Sequence, residues 1–199
     1  MTSPFYPPEA GVPAGLRTPE VALRMLGAAD VERDYEAVVS SRETLWLRSG
    51  DSWPREGFTL AENLADLEQH EREHRARTAF TYTVSDPAGT LCLGCVYVIP
   101  LKDLIEGAAM PDDDETVRAA ARVGIGAHDA AVSFWVRQSR LGSGLDGRLF
   151  AALHAWFVAE WQFSRVTYIA NRRQERHQEI YRAAGLVPLY ALTRTLVYA

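Results

Sequence analysis

The residues with the clearest chemical capacity are Arg137-Gln138-Ser139-Arg140-Leu141-Gly142-Ser143-Gly144, set between an apolar run, Ala130 to Val136, and a segment with apolar residues at helical spacing. Gly142 and Gly144 let the backbone approach a ligand closely and enter turns closed to other residues. Where such a turn opens a helix, the first amides have no intrahelical partner, and the helix dipole adds to their pull on an anion. Arg137 and Arg140 can add charge-assisted contacts to a phosphate. A plain strand-to-helix turn also favours glycine, so locally a phosphate cradle and a structural turn stand side by side. A Walker loop is excluded, because it needs a lysine behind its last glycine and Lys102 is the only lysine of the chain. A dinucleotide fingerprint asks for a further downstream glycine and an early acidic ribose contact; the turn comes late, and no matching βαβ unit is evident.

Other reactive groups are sparse. Cys92 and Cys95 are too few for a disulfide framework or a thiolate zinc site. They lie in a strand-like run, where i, i+3 spacing sends side chains to opposite faces, so buried free thiols are expected. No cluster of His, Cys and carboxylates has metal spacing, and no metal is expected. The acidic run at 112–115 reads as a solvated helix start, followed by a helix over Val117 to Val123.

Elements that could position the turn follow from periodicity. Five of the ten prolines fall in residues 1–19, which read as a proline-rich arm ahead of one domain over 20–199. Val21 to Leu26 suits a short strand, and Asp30 caps a helix with Val31, Tyr35 and Val38 on its apolar face. Thr44 to Phe58 reads as a loop with a helical turn. Thr59 and Glu62 form a capping box ahead of a helix with Leu60, Leu64 and Leu67. Alternation over 79–99, broken by Asp86-Pro87-Ala88-Gly89, predicts an antiparallel hairpin. Ala130 to Val136 is the next strand. Leu145, Leu149, Leu153, Trp156 and Phe157 mark the buried side of a long helix. Val166 to Ala170 is a strand, Asn171 and Gln174 have capping-box spacing, and Gly185 stops the helix behind them. The chain closes in an extended segment from Val187 to Tyr198. The fold class is therefore α/β, with a mixed, mainly antiparallel central sheet flanked by helices.

Its 199 residues and 22.2 kDa allow one ordinary domain with a real core. A net charge of −5 disfavours a general nucleic-acid binder, and no apolar run is long enough to span a membrane. The opening residues lack a secretory pattern, and the expected location is cytoplasmic.

Taken in order, hairpin, strand, glycine turn, long helix, strand and closing helix resemble the GNAT superfamily of acyl-CoA-dependent N-acyltransferases. The resemblance rests on Ser139-Arg140-Leu141-Gly142-Ser143-Gly144, against a family pyrophosphate loop [QR]-x-x-G-x-[GA], and on Tyr181-Arg182-Ala183-Ala184-Gly185-Leu186, against Tyr-x-x-x-Gly-Phe. Those motifs are 37 residues apart, from Gly144 to Tyr181. Ser139 and Leu186 depart from the family pattern, and Gln174 stands where an Asn is frequent.

The resemblance implies acetyl-CoA or another short acyl-CoA as cofactor. Its pyrophosphate would sit on the amides from Leu141 through Ser143 and Gly144 to Leu145, and its pantetheine arm along Phe134, Trp135 and Val136, with Asn171 and Gln174 as further contacts. Tyr181 would be general acid or hydrogen-bond donor to the thioester sulfur. His128 and Asp129 are candidates for the base, His128 having the better unperturbed pKa; Glu68, His70, Glu71 and His74 border the expected acceptor side. Trp46, Trp53, Phe58 and the 100–129 segment are candidates for the acceptor pocket, with Tyr97 and Trp135 at its border, whereas His177 reads as exposed surface. The expected activity is transfer to a primary amine of a small molecule or peptide, with a homodimer possible. A non-catalytic acyl-CoA sensor and a partner-binding protein of the same fold are the alternatives.

Overall fold

A computed structural model describes residues 5–108, 124–192 and 194–199. The acidic run at 112–115 and the helix expected behind it lie outside the described residues.

Eight strands form one sheet in the order β1-β2-β3-β4-β5-β6-β8-β7: β1 Gly15–Arg17, β2 Ala22–Met25, β3 Phe80–Ser85, β4 Cys92–Pro100, β5 Asp129–Val136, β6 Arg165–Asn171, β7 Pro188–Ala191 and β8 Thr195–Tyr198. Every pairing is antiparallel except that of β5 with β6. Alternation sorts the side chains. Phe80, Tyr82, Val84, Val96, Val98, Val132 and Phe134 join one core with α6, Leu145–Glu160, whose Leu145, Leu149, Leu153, Trp156 and Phe157 are all buried as expected. Cys95 and Trp135 face the other side, against α1, Val31–Ser40, and α3, Leu60–Ala76, while α4, Leu101–Ala108, follows β4 directly.

Local chemistry sets several boundaries. The Thr59–Glu62 capping box forms, with Thr59 Oγ1 accepting from Glu62 N at 3.2 Å and Glu62 Oε2 accepting from Thr59 N at 2.8 Å. The helix behind it is rotated from expectation: Asn63, Leu67 and His74 are buried and Leu60 is exposed. Gly185, at φ +85°, ends α7, Glu175–Ala183; its N–H donates to Arg182 O and that of Leu186 to Tyr181 O.

Four expectations need correction. The proline-rich arm is part of the domain: Phe5 and Tyr6 are buried in the main core, and Gly15–Arg17 adds an edge strand. Arg42–Ser49 is a helix, α2, rather than loop, stopped by Gly50 in the left-handed region at φ +70°. The closing segment is two strands rather than one, because the chain doubles back after Ala191. Cys92 and Cys95 share a face. A bulge opposite Val84 and Ser85 inserts a residue and resets the alternation. It is built on Gly94, at φ +152°, where a Cβ would meet the Trp135 carbonyl oxygen at 1.9 Å.

One departure from a regular sheet matters most. β5 pairs with β4 along its whole length, but with β6 only over Asp129–Val132 against Arg165–Tyr168. Beyond that point β6 pairs only with β8 through Ile169–Asn171, and Ser133–Val136 has no strand on its β6 side. The parallel pair opens like a fork toward the glycine turn. Among the described residues no helix is long and apolar enough to cross a membrane.

Candidate functional site

The glycine turn stands at the open end of the fork. A single helical turn, α5 (Gln138–Leu141), leads through Gly142 to Gly144, which caps α6 at φ +72°. Only glycine is at ease there. Gly142 differs: its φ of −62° suits any residue, and a Cβ would find nothing within 4 Å. The protein itself therefore does not require a glycine at 142, and the bare backbone leaves that flank open to a ligand. Gly147, in the first turn of α6, likewise has nothing within 4 Å. It completes a G-x-G-x-x-G spacing with Gly142 and Gly144 that the sequence reading missed, and β5–α6–β6 is the parallel βαβ unit it did not see. The amides of Leu145 and Asp146 open α6 without an intrahelical acceptor.

Positive charge around this turn comes mostly from residues not anticipated. Arg137 is 7% exposed and is ion-paired with Glu36, with Nη2 also donating to Ser40 Oγ at 3.0 Å and Nη1 to Cys92 O at 3.4 Å. It ties β5 to α1, its guanidinium engaged by Glu36, Ser40 and the Cys92 carbonyl. Arg140 is exposed and carries no side-chain hydrogen bond among the described residues. Arg148 donates through Nη1 to Ser143 O at 2.8 Å and pairs with Glu20. Arg176, on α7, donates to Leu141 O at 3.3 Å and is ion-paired with buried Asp146. Burial draws the Asp146 carboxyl up, but Arg176 and the Gly147 amide outweigh it and hold it below the usual carboxylate range. Arg140, Arg148 and Arg176 thus surround the turn, and a cleft of about 380 Å³ lined by Thr44, Leu47, Leu141, Arg173 and Arg176 runs beside it.

Inside the fork the backbone of β5 is unpaired. Arg137 N donates to Leu93 O at 2.7 Å, so odd-numbered residues bond β4 and the main-chain groups of Phe134 and Val136 face the gap. Side chains of Phe134, Trp135 and Val136 are buried in the two cores. A cavity of about 130 Å³, lined by Arg48, Ser133, Ile169, Ala170, Asn171, Gln174 and Thr195, lies in the crotch. Tyr181, on α7, reaches the carbonyl of Ile169, one of the lining residues. Fully buried, it packs on Phe150 and Tyr198, and its hydroxyl donates to Ile169 O at 3.2 Å. Burial pushes that hydroxyl far above the ordinary phenol range, so it stays protonated. Asn171 and Gln174 form a mutual turn rather than the expected capping box. Gln174 Oε1 accepts from Asn171 N at 2.9 Å, Asn171 Oδ1 accepts from Arg173 N at 3.0 Å, and the helix begins only at Glu175.

His177 is buried, not exposed as expected. Its ring lies 4.7 Å from that of Phe134, tilted by 44°, and burial pushes its pKa down to about 4.

On the opposite side of the sheet a second cavity, about 400 Å³, is lined by Leu26, Asp34, Arg48, Trp53, Asn63, Asp66, Leu67, Gln69, His70 and Tyr97. Arg48 lines this cavity and the crotch alike. Its Nη2 donates to Ser133 Oγ at 2.8 Å, and its guanidinium lies 4.7 Å over the Tyr97 ring. Asp34 is buried, accepts from Asn63 Nδ2 at 3.0 Å and from Cys95 Sγ at 3.3 Å, and is pushed up by burial. Asp66 is raised by burial as well. Asp34, Cys92 and Cys95 bring ligand atoms within 4.8 Å of one another, a cluster hidden by the assumed alternation. Contact with Cys92 and burial push the Cys95 thiol up, which favours the protonated form over a thiolate ligand. Of the expected pocket aromatics, Trp53 lines this cavity, Phe58 packs against it at 5.6 Å, and Trp46 is tied to Pro54 O at 2.8 Å.

His128 and Asp129 are placed elsewhere. His128 Nδ1 is 2.7 Å from Phe5 O. Asp129 is buried at the closed end of the fork, accepting from Gly126 N at 2.9 Å and lying 3.5 Å from Arg165. It is four residues before Ser133, about 13 Å along the strand. Neither is brought to the opening.

Solved structures share this fold. The ribosomal-protein-S5-alanine acetyltransferase from Vibrio fischeri aligns over 92% of this chain and 94% of its own, with a TM-score of 0.65 at 15% identity. MccE, the microcin C7 self-immunity acetyltransferase in complex with acetyl-CoA and AMP, aligns over 94% and 96%, with a TM-score of 0.64 at 12% identity. RimL, a ribosomal L7/L12 alpha-N-protein acetyltransferase in complex with coenzyme A, aligns over 91% and 93%, with a TM-score of 0.64 at 13% identity. The chain has the GNAT fold. No protein-family model and no curated protein sequence matches it.

Proposed function

We propose that this protein is an N-acyltransferase that moves an acetyl or other short acyl group from acyl-CoA to a primary amine of a small molecule or peptide. What supports the reading is the unpaired edge of Phe134 to Val136, which leads from the glycine turn into the fork whose other strand carries Ile169, the hydrogen-bond partner of Tyr181.

The residues fit such a ligand. The amides of Leu145 and Asp146 at the end of the Leu141–Leu145 turn, with Arg140, Arg148 and Arg176 around them, suit a pyrophosphate, whereas those of Ser143 and Gly144 donate to Arg140 O and Leu141 O. Main-chain groups of Phe134 and Val136 suit the amides of a pantetheine arm, and Asn171 and Gln174 stand at the mouth of the same gap. When bound, acyl-CoA supplies an activated acyl carbon. The chain supplies the rest. Tyr181, protonated at any working pH, can turn its hydroxyl from Ile169 O toward a departing sulfur. Arg48 and Ser133 lie where the crotch meets the front cavity, so an amine held there has a direct approach. Asp34, Asp66 and His70 line that cavity and can take up the proton an ammonium must lose.

A crystal structure with coenzyme A, paired with calorimetric titration, tests the proposal. The pyrophosphate is expected on the Leu145 and Asp146 amides and the sulfur beside Tyr181. A pyrophosphate bound elsewhere, or a sulfur remote from Tyr181, refutes it. Tight binding without transfer to any amine favours a ligand sensor, and no binding favours a partner-binding protein.

A further inference from the structure

We infer that the acceptor is a small amine that also carries a carboxylate, of α- or β-amino-acid type, with the carboxylate on Arg48 and the amine toward Asp34, Asp66 and His70. The inference rests on the acyltransferase reading above and names the acceptor class for that site.

Arg48 is the first support. A half-buried guanidinium ordinarily has a carboxylate partner, because a desolvated charge is costly when unpaired. Arg48 has none within ion-pair distance among the described residues. It donates only to the neutral Ser133 hydroxyl, and its Nε is buried without a hydrogen-bond partner. Its guanidinium lies 4.7 Å over the Tyr97 ring and it lines both cavities, which places it where the crotch meets the front cavity. A pantetheine arm is neutral and the described residues offer no counter-ion, so an anionic group on the acceptor would complete the pair.

The rest of the cavity has the opposite character. Asp34 accepts from Asn63, Cys95 and Cys92, with no cation paired to it among the described residues, and Asp66 stands beside it in the lining. His70 Nδ1 is buried and unpartnered; it lies 3.4 Å from Glu73 Oε2 without hydrogen-bond alignment. A cavity that offers one unpaired cation at the crotch and two carboxylates with an imidazole on its other walls matches a zwitterion. A polyamine would leave Arg48 unpaired and add repulsion. A chain N-terminus would present a neutral peptide carbonyl where the guanidinium asks for an anion. The volume of about 400 Å³ suits a molecule of amino-acid size.

The test uses the full chain with acetyl-CoA and a panel of α- and β-amino acids, each beside its carboxamide and a short peptide with the same first residue. The free acid is expected to exceed its amide in kcat/KM by roughly tenfold or more, as loss of a charge-assisted hydrogen bond predicts. Arg48→Gln should bring that ratio toward one, while Arg48→Lys retains part of it. Amides or peptides that serve as well as the acids overturn the inference and leave the acyltransferase reading intact. A second readout needs no turnover: the indole N–H signal of Trp53, which lines the cavity, should shift on adding the acid more than on adding its amide. If acetyl-CoA fails to bind and no amine is modified, the acyltransferase reading falls. Indole shifts equal for acid and amide, or absent for both, then remove the zwitterion site as well.

Discussion

His177 is the group whose titration the structure constrains most sharply. It is 5% exposed, its Nε2 has no hydrogen-bond partner, and its ring is wedged against Phe134 at the edge of the fork. Burial penalises the imidazolium and lowers the pKa from 6.5 to about 4. The unfolded chain therefore binds a proton between these values that the folded chain does not. Stability rises with pH across this window, and, on acidification, it is lost from pH 6.5 down to about pH 4 and levels off below. At about 1.4 kcal/mol per pH unit, the whole window is worth about 3 kcal/mol. Urea unfolding at intervals from pH 7.5 to 4, comparing wild type with His177→Gln, isolates the contribution, because Asp34, His74 and the other shifted groups are common to both. The wild type should lose about 3 kcal/mol more than the variant over this range. Parallel pH dependence would refute the burial argument. Should the variant fold poorly, the ring resonances of His177 in the wild type decide the matter: they should not titrate above pH 5, and a midpoint near 6.5 would contradict the placement.

Tyr181→Phe should cut the rate of acyl transfer at least tenfold while coenzyme A affinity, read by calorimetry, changes far less; equal activity sinks the assignment of the hydroxyl to the sulfur. Gly142→Ala should raise stability by about 0.4–1 kcal/mol, since its φ of −62° is ordinary and the added methyl meets nothing, yet weaken coenzyme binding. Undiminished affinity would mean that no ligand approaches that flank. Gly94→Ala should cost about 3 kcal/mol or more in urea unfolding, because the methyl would overlap the Trp135 carbonyl at a strained φ.

What was legible in the sequence and what was not divides along a physical line. The hairpin, the Thr59 cap, the buried face of α6 and the Gly185 stop each rest on residues within a few positions of one another, so pattern suffices. Cys92 and Cys95 went wrong because alternation assumes an unbroken ladder. Gly94 between them was the available signal for a bulge. His177 stands in Gln174-Glu175-Arg176-His177-Gln178-Glu179, which reads as solvated surface on polarity alone; only the docking of α7 over the fork buries it. Arg137 and Arg148 show the converse. Both stand within a few residues of the turn, and their roles are set by acids distant in sequence, Glu36 and Glu20. Arg48 is the hardest case. Nothing in Arg42-Glu43-Thr44-Leu45-Trp46-Leu47-Arg48 marks it, and its significance comes from Ser133, Tyr97 and an absent counter-ion. The G-x-G-x-x-G spacing, by contrast, was in plain view through Gly147, and by itself it would have pointed to a dinucleotide fold. What redirects it is the strand beside it: β6 leaves β5 after Tyr168 instead of continuing in parallel, so the glycine-rich helix start opens on an unpaired strand edge rather than on the crevice between two sheet halves. A ligand whose pyrophosphate is followed by an arm of amide groups matches that edge, whereas a dinucleotide carries a second nucleoside on that side and offers no run of amides to a strand.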